Sequence, residues 1–143
     1  MDGMTVRRYE RVDERLLGLA AEAMAPQVAA AGGRFEGDRA ARALADDVVF
    51  VAETNAGRPA GYVTLCERGD TLVVEQLAVG VADQGRHVGH LLLDWAEGYG
   101  VSRRLRAIRV EVEPDNLPAR RFYARRGYAD AGDRAVVREL VHE

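Results

Sequence analysis

Gln84, Gly85, Arg86, His87, Val88 and Gly89 are the residues whose types and spacing point most directly to chemistry. They follow an apolar, β-branched run, Thr71 to Val81, which suits a buried strand. After them Val88, Leu91, Leu92, Trp95, Ala96 and Tyr99 recur at helical spacing and make one apolar stripe. A strand, a short glycine-containing loop and a helix bring free backbone N–H groups to a helix N-terminus. Those donors and the helix dipole favour an anion there, so the stretch suggests a phosphate-bearing ligand. A tight turn alone would also account for the glycines. A P-loop is excluded, because it needs Gly-Lys-Ser/Thr and all 20 basic residues here are arginine. A dinucleotide fingerprint is excluded too, since it needs three glycines and three residues separate Gly85 from Gly89.

Other clusters carry less. His87 and His90, with Asp94 one turn on, have helical spacing but no evident supporting shell, so no metal site is assigned. Arg120, Arg121, Arg125 and Arg126 share one predicted helix. With a net charge of −3 and no aromatic stacking motif, they read as a solvated face rather than a nucleic-acid surface. Arg68-Gly69-Asp70 reads as a hairpin turn.

The elements that must position these residues fit one domain spanning 1–143, long enough to bury roughly two-thirds of its unfolded surface. The N-terminus has no apolar signal-peptide core, and no apolar run reaches the roughly 20 residues of a membrane span. The single cysteine, Cys66, excludes an internal disulfide and fits a reducing compartment, so a cytoplasmic location away from membranes is expected.

In chain order, Thr5–Glu10 reads as a strand near a sheet edge and Asp13–Ala25 as a helix. Pro26–Gly37 reads as a loop and Asp38 to Leu44 or Ala45 as a short second helix. Val48–Glu53, Ala60–Glu67 and Thr71–Val81 form a meander of three strands. The helix from Val88 is expected to end at Gly98 and Gly100, and Ala107–Glu113 follows as a strand parallel to Thr71–Val81. Asn116 caps a helix over Leu117–Arg126, with Ala119, Phe122 and Tyr123 inward and Gly127 as the stop. Tyr128–Asp133 and Ala135–Val141 supply the last strands. The order β-α-α-β-β-β-α-β-α-β-β describes an α/β (α+β) fold, a central mixed sheet with helices on both faces.

That order resembles the GCN5-related N-acetyltransferase superfamily, and two motifs carry the resemblance. Leu77-Ala78-Val79 followed by Gln84-Gly85-Arg86-His87-Val88-Gly89 is similar to the family's Q/R-x-x-G-x-G/A pyrophosphate loop. Asn116-Leu117-Pro118-Ala119-Arg120-Arg121-Phe122-Tyr123, running on to Gly127-Tyr128, is similar to its Asn-x-x-Ala-x-x-Phe-Tyr-x-x-x-Gly-Phe/Tyr helix. One position departs: His87 stands where the family most often has its central glycine. Either His87 sits free of strain at the loop edge, or a left-handed backbone there costs about 1–2 kcal/mol and distorts the loop.

The resemblance implies direct transfer of an acetyl group from acetyl-CoA to a primary amine of a small molecule or protein, in a ternary complex and without a metal. It implies that the cofactor meets Leu77, Ala78, Val79, the run Gln84 to His90, Asn116 and Tyr123. Val79 would supply a backbone N–H for the thioester oxygen, and Tyr123 the proton for the leaving thiolate. The pantetheine arm would add to the strand edge where the two parallel strands part. A lysine-like amine needs a base, for which Glu75 on the central strand is the first candidate and Glu111 and Glu113 the second. By alternation Glu75 is expected to share a face with Leu77 and Val79. The alternative to an enzyme is a catalytically silent acyl-CoA sensor or interaction module of the same fold. Members of the family often pair as dimers, so a homodimer is left open, and no residue of this sequence identifies the interface or the acceptor.

Overall fold

A computed structural model describes residues 3–9, 48–85, 87–132 and 134–140. Its strands are β1 (Thr5–Tyr9), β2 (Val48–Glu53), β3 (Pro59–Arg68), β4 (Thr71–Val79), β5 (Ala107–Glu111), β6 (Ala129–Asp130) and β7 (Ala135–Glu139). The described helices are α1 (Val88–Ser102) and α2 (Leu117–Arg125), with a short 3-10 turn at Val81–Asp83. The helices expected at Asp13–Ala25 and Asp38–Ala45, and the loop between them, lie outside the described residues.

The seven strands form one mixed sheet in the order β1-β2-β3-β4-β5-β7-β6. β1, with its charged residues, is at the edge as expected and runs antiparallel to β2 from Thr5↔Glu53 to Tyr9↔Val49. β5 is parallel to β4, from Thr71↔Ala107 to Val74↔Val110, as a strand reached through a helical crossover must be. β7 pairs antiparallel with β5, and β6 with β7.

The chain divides into two compact units: Met1–Thr64 with Gln76–Ala96, and Leu65–Glu75 with Glu97–Glu143. In the first, Val49, Val51, Tyr62 and Val63 from the strands are buried, as are Val88, Leu92, Leu93 and Ala96 from α1. In the second, Leu72, Val74, Ile108, Val110, Tyr123, Tyr128 and Val136 are buried.

Three expectations need correction. β4 ends at Val79, not Val81, because the chain turns at once: Asp83 N–H donates to the Gly80 carbonyl (2.9 Å). The buried stripe of α1 includes Leu93, whereas Trp95 is 47% exposed. Nor do Gly98 and Gly100 end that helix. Gly100 is a packing glycine, since a Cβ there would fall 2.6 Å from Leu140 Cδ1. The helix ends at Ser102, and Arg104 just beyond it takes a left-handed φ of 59°. Around it Leu105 N–H reaches the Gly100 carbonyl and Arg104 N–H the Val101 carbonyl, both at 3.0 Å, the paired bonds of a Schellman end. No helix among the described residues is long and apolar enough to cross a membrane.

Candidate functional site

In the first unit the site is the passage from β4 into α1. Gly61 on β3 makes room for it: a Cβ there would meet the Ala78 carbonyl oxygen at 2.8 Å and Val88 Cγ1 at 2.9 Å. The start of α1 therefore packs directly on the strands. Gly85 has φ 85° and His87 φ 63°, so two of the described loop residues are left-handed before the helix begins. His87 is thus not free of strain; it adopts the conformation a glycine would take, at about 1–2 kcal/mol. Its carbonyl accepts the first bond of α1, from Leu91 N–H at 3.1 Å. By helix geometry the first N–H groups of α1 precede that bond, and a helix N-terminus of this kind favours an anion. Gln84 reaches back, its Nε2 donating to the Val79 carbonyl (3.4 Å), and so ties the loop to the strand end. Arg86 lies outside the described residues.

An ion pair that the sequence did not announce anchors this loop. Asp83 is fully buried, and Arg58 donates to both its oxygens, Nη1 to Oδ2 at 2.7 Å and Nη2 to Oδ1 at 3.0 Å. A carboxylate withdrawn from water is tolerable only when paired in this way. Arg58 is itself held in the β2–β3 turn, where its carbonyl accepts from Thr54 N–H (2.9 Å). Tyr62 is a second unannounced group. Its buried hydroxyl donates to Gln76 Oε1 (2.9 Å), and burial pushes the phenol up to about 12.

His87 and His90 have ring centroids 5.7 Å apart, and Asp94 is exposed. Among the described residues no three His, Cys, Asp or Glu groups gather as metal ligands would.

In the second unit Asn116 caps α2 as its sequence position requires, its Oδ1 accepting from Ala119 N–H (3.3 Å). Gly127, at φ 90°, ends the helix, and the Tyr123 carbonyl accepts from both Arg126 N–H (3.0 Å) and Tyr128 N–H (3.1 Å). The Tyr123 ring is 5% exposed and stands edge-on to Phe122 (5.1 Å) and Tyr128 (5.4 Å). Burial pushes its phenol well above the ordinary value, and the nearby Arg126 charge pulls partly the other way. Its hydroxyl makes no hydrogen bond to a described residue.

The carboxylates are less open. Glu75 Oε1 accepts from Cys66 Sγ (3.1 Å) and from Arg68 Nη2 (3.1 Å), so this first candidate base stands in a salt bridge. Glu113 lies beyond the end of β5 and pairs with Arg134 (3.0 Å), while Glu111 closes β5 and is exposed. The ladder between β4 and β5 stops at Val74↔Val110, and β4 continues to Val79.

The arginines of α2 are not uniformly solvated, which corrects the expectation for them. Arg121 and Arg125 are exposed. Arg120 instead bonds the carbonyls of Val112 (3.2 Å) and Glu113 (3.3 Å) and pairs with Asp130, bracing the end of β5. Arg126 turns to Glu97, whose position one helical turn after Leu93 places it on the buried side of α1. A lone acid on an apolar face was the one sequence signal for it.

The comparisons with known proteins point to one family. A family model described as the acetyltransferase (GNAT) family matches residues 15–128, which include both the loop and α2. The chain belongs to that family. Streptothricin acetyltransferase of Escherichia coli is 33% identical over 63 residues, 44% of this chain and 36% of that protein. The chain thus spans about a third of the length of that curated relative. Among solved structures, the ribosomal-protein-S18-alanine N-acetyltransferase of Escherichia coli superposes with a TM-score of 0.80 at 18% identity, covering 96% of this chain and 94% of that one. The IAA acetyltransferase of Bacillus cereus gives 0.77 at 17% identity over 96% of this chain and all (100%) of that one. At such identities the two structures show a shared fold: the mixed sheet is that of GNAT acyltransferases.

Proposed function

We propose that this GNAT protein is an acetyl-CoA-dependent N-acetyltransferase that passes the acetyl group directly to an amine. Acetyl-CoA, when bound, supplies a thioester whose C–S bond breaks as the C–N bond to the acceptor forms. The N–H groups at the start of α1 would hold the pyrophosphate, with Gln84, Gly85 and His87 shaping the turn. The Val79 N–H would polarise the thioester oxygen, and the Tyr123 hydroxyl would give its proton to the departing sulfur. Asn116 would meet the cofactor arm as well as cap α2. Loss of a proton from the acceptor ammonium needs a base; Glu75, with Glu111 and Glu113 behind it, keeps that role in the proposal, through water, despite its pairing with Arg68.

The observation that carries this reading is the left-handed backbone at Gly85 and His87. His87 adopts the glycine-like conformation that lets main-chain N–H groups face an anion, although a histidine occupies the position. The amines that the relatives are named for suggest the acceptors to try, and a net charge of −3 favours a cationic one. Calorimetric titration with acetyl-CoA, desulfo-CoA and ATP tests the cofactor; binding of the first two and not the third is expected. Release of free CoA thiol with streptothricin, an alanine-initiated peptide and a polyamine then tests the transfer. No acetyl-CoA binding at millimolar ligand would end the reading.

A further inference from the structure

We propose that Glu97 is a positioning residue for Tyr123, holding from α1 the two side chains that bracket the end of α2. The inference rests on the acid role given to Tyr123 above. Glu97 is 16% exposed at its side chain and gathers three donors: Tyr128 hydroxyl to Oε2 at 2.7 Å, Arg126 Nη2 to Oε1 at 3.1 Å and Arg138 Nη1 to Oε1 at 3.3 Å. Two of these donors also fix Tyr123. The main-chain N–H groups of Arg126 and Tyr128 both end on the Tyr123 carbonyl, and the Tyr128 ring stands edge-on against the Tyr123 ring. Backbone and ring of Tyr123 are thus held by residues whose far ends meet on one carboxylate. A largely buried carboxylate that holds two guanidinium groups and a hydroxyl is a stiff anchor, because its charge-assisted bonds are strong and three donors fix its orientation. Beyond stiffness, the anchor sets where the Arg126 guanidinium sits relative to the Tyr123 phenol, and so the local charge felt by that proton. None of this requires Glu97 to touch substrate.

The test is a double-mutant cycle on Glu97→Gln and Tyr123→Phe, read as kcat and as KM for acetyl-CoA in the thiol-release assay. Glu97→Gln is expected to lower kcat about fivefold to tenfold while KM stays within about twofold. In the Tyr123→Phe background the same change is expected to lower kcat no further, because the group being positioned is already gone. Equal losses in both backgrounds, or an unchanged kcat in the single variant, would overturn the inference and leave the Tyr123 reading standing. An unchanged kcat for Tyr123→Phe, or no thiol release with any amine of the panel, overturns that reading and the inference with it. If Glu97→Gln does not fold, Tyr128→Phe removes only the hydroxyl and keeps both ion pairs, and the same cycle applies.

Discussion

The loop before α1 and the end of α2 meet the same backbone demand with opposite residues. Each turns the chain through a left-handed position beside a proposed site residue, His87 at φ 63° in one and Gly127 at φ 90° in the other. Glycine takes that conformation without steric cost, whereas histidine pays for it. The surroundings differ accordingly. The loop is fastened by one fully buried carboxylate on one guanidinium, Asp83 on Arg58, and by the close approach that Gly61 allows. The end of α2 needs no such compensation locally, and its anchor, Glu97, holds side chains rather than a strained turn. A departure from a family's glycine is therefore best judged by what fastens the turn around it.

The largest effect that separates the two regions should come from Arg58→Ala. It removes two charge-assisted hydrogen bonds from a fully buried carboxylate, and a loss of about 3 kcal/mol in urea unfolding is expected, with weaker acetyl-CoA binding. A loss under about 1 kcal/mol would show that the clamp does not fasten the loop.

Alkaline pH gives the next contrast. Between about 10 and about 12 the unfolded state releases the Tyr62 proton while the folded state keeps it, so stability falls as pH rises through that window. The Tyr62 contribution to that fall should reach about 2–3 kcal/mol near pH 12. Tyr62→Phe should flatten part of the decline, and the remainder belongs to Tyr123 and Tyr128, which burial also raises. Thermal midpoints measured across the range decide it.

At the turns themselves, Gly127→Ala should cost about 1–2 kcal/mol, because alanine at φ 90° is strained. His87→Gly should do the reverse on a smaller scale, a gain of about 0.5–1 kcal/mol with acetyl-CoA affinity held within about threefold. A much larger gain in affinity would mean that the histidine distorts the loop rather than merely straining it.

Much of the fold was legible because its signals are local. β2 was bounded correctly by an unbroken apolar run, and α2 by an Asn cap at one end and a glycine at the other. The loop was legible as a glycine-containing turn into a helix, and the backbone at its departing position, His87, is left-handed. The glycines of α1 misled, because a glycine that ends a helix and one that lets another chain segment approach look alike in sequence. Asp83 and Arg58 are 25 residues apart with nothing periodic to link them. Their pairing depends on how a hairpin turn meets a loop.

The sequence by itself determined the order of the described strands and helices, which helix is capped by Asn116, and which two motifs carry the resemblance to the family. These follow from spacing, capping and turn preference, which act over a few residues. Tertiary structure alone decided that His87 would be left-handed, that Glu75 would stand in a salt bridge, and that Arg120 and Arg126 would turn inward. It also decided that one acid on α1 would gather Tyr128, Arg126 and Arg138. Burial and charge pairing between distant residues are properties of the folded chain, because only there does water leave and force each polar group to find its partner.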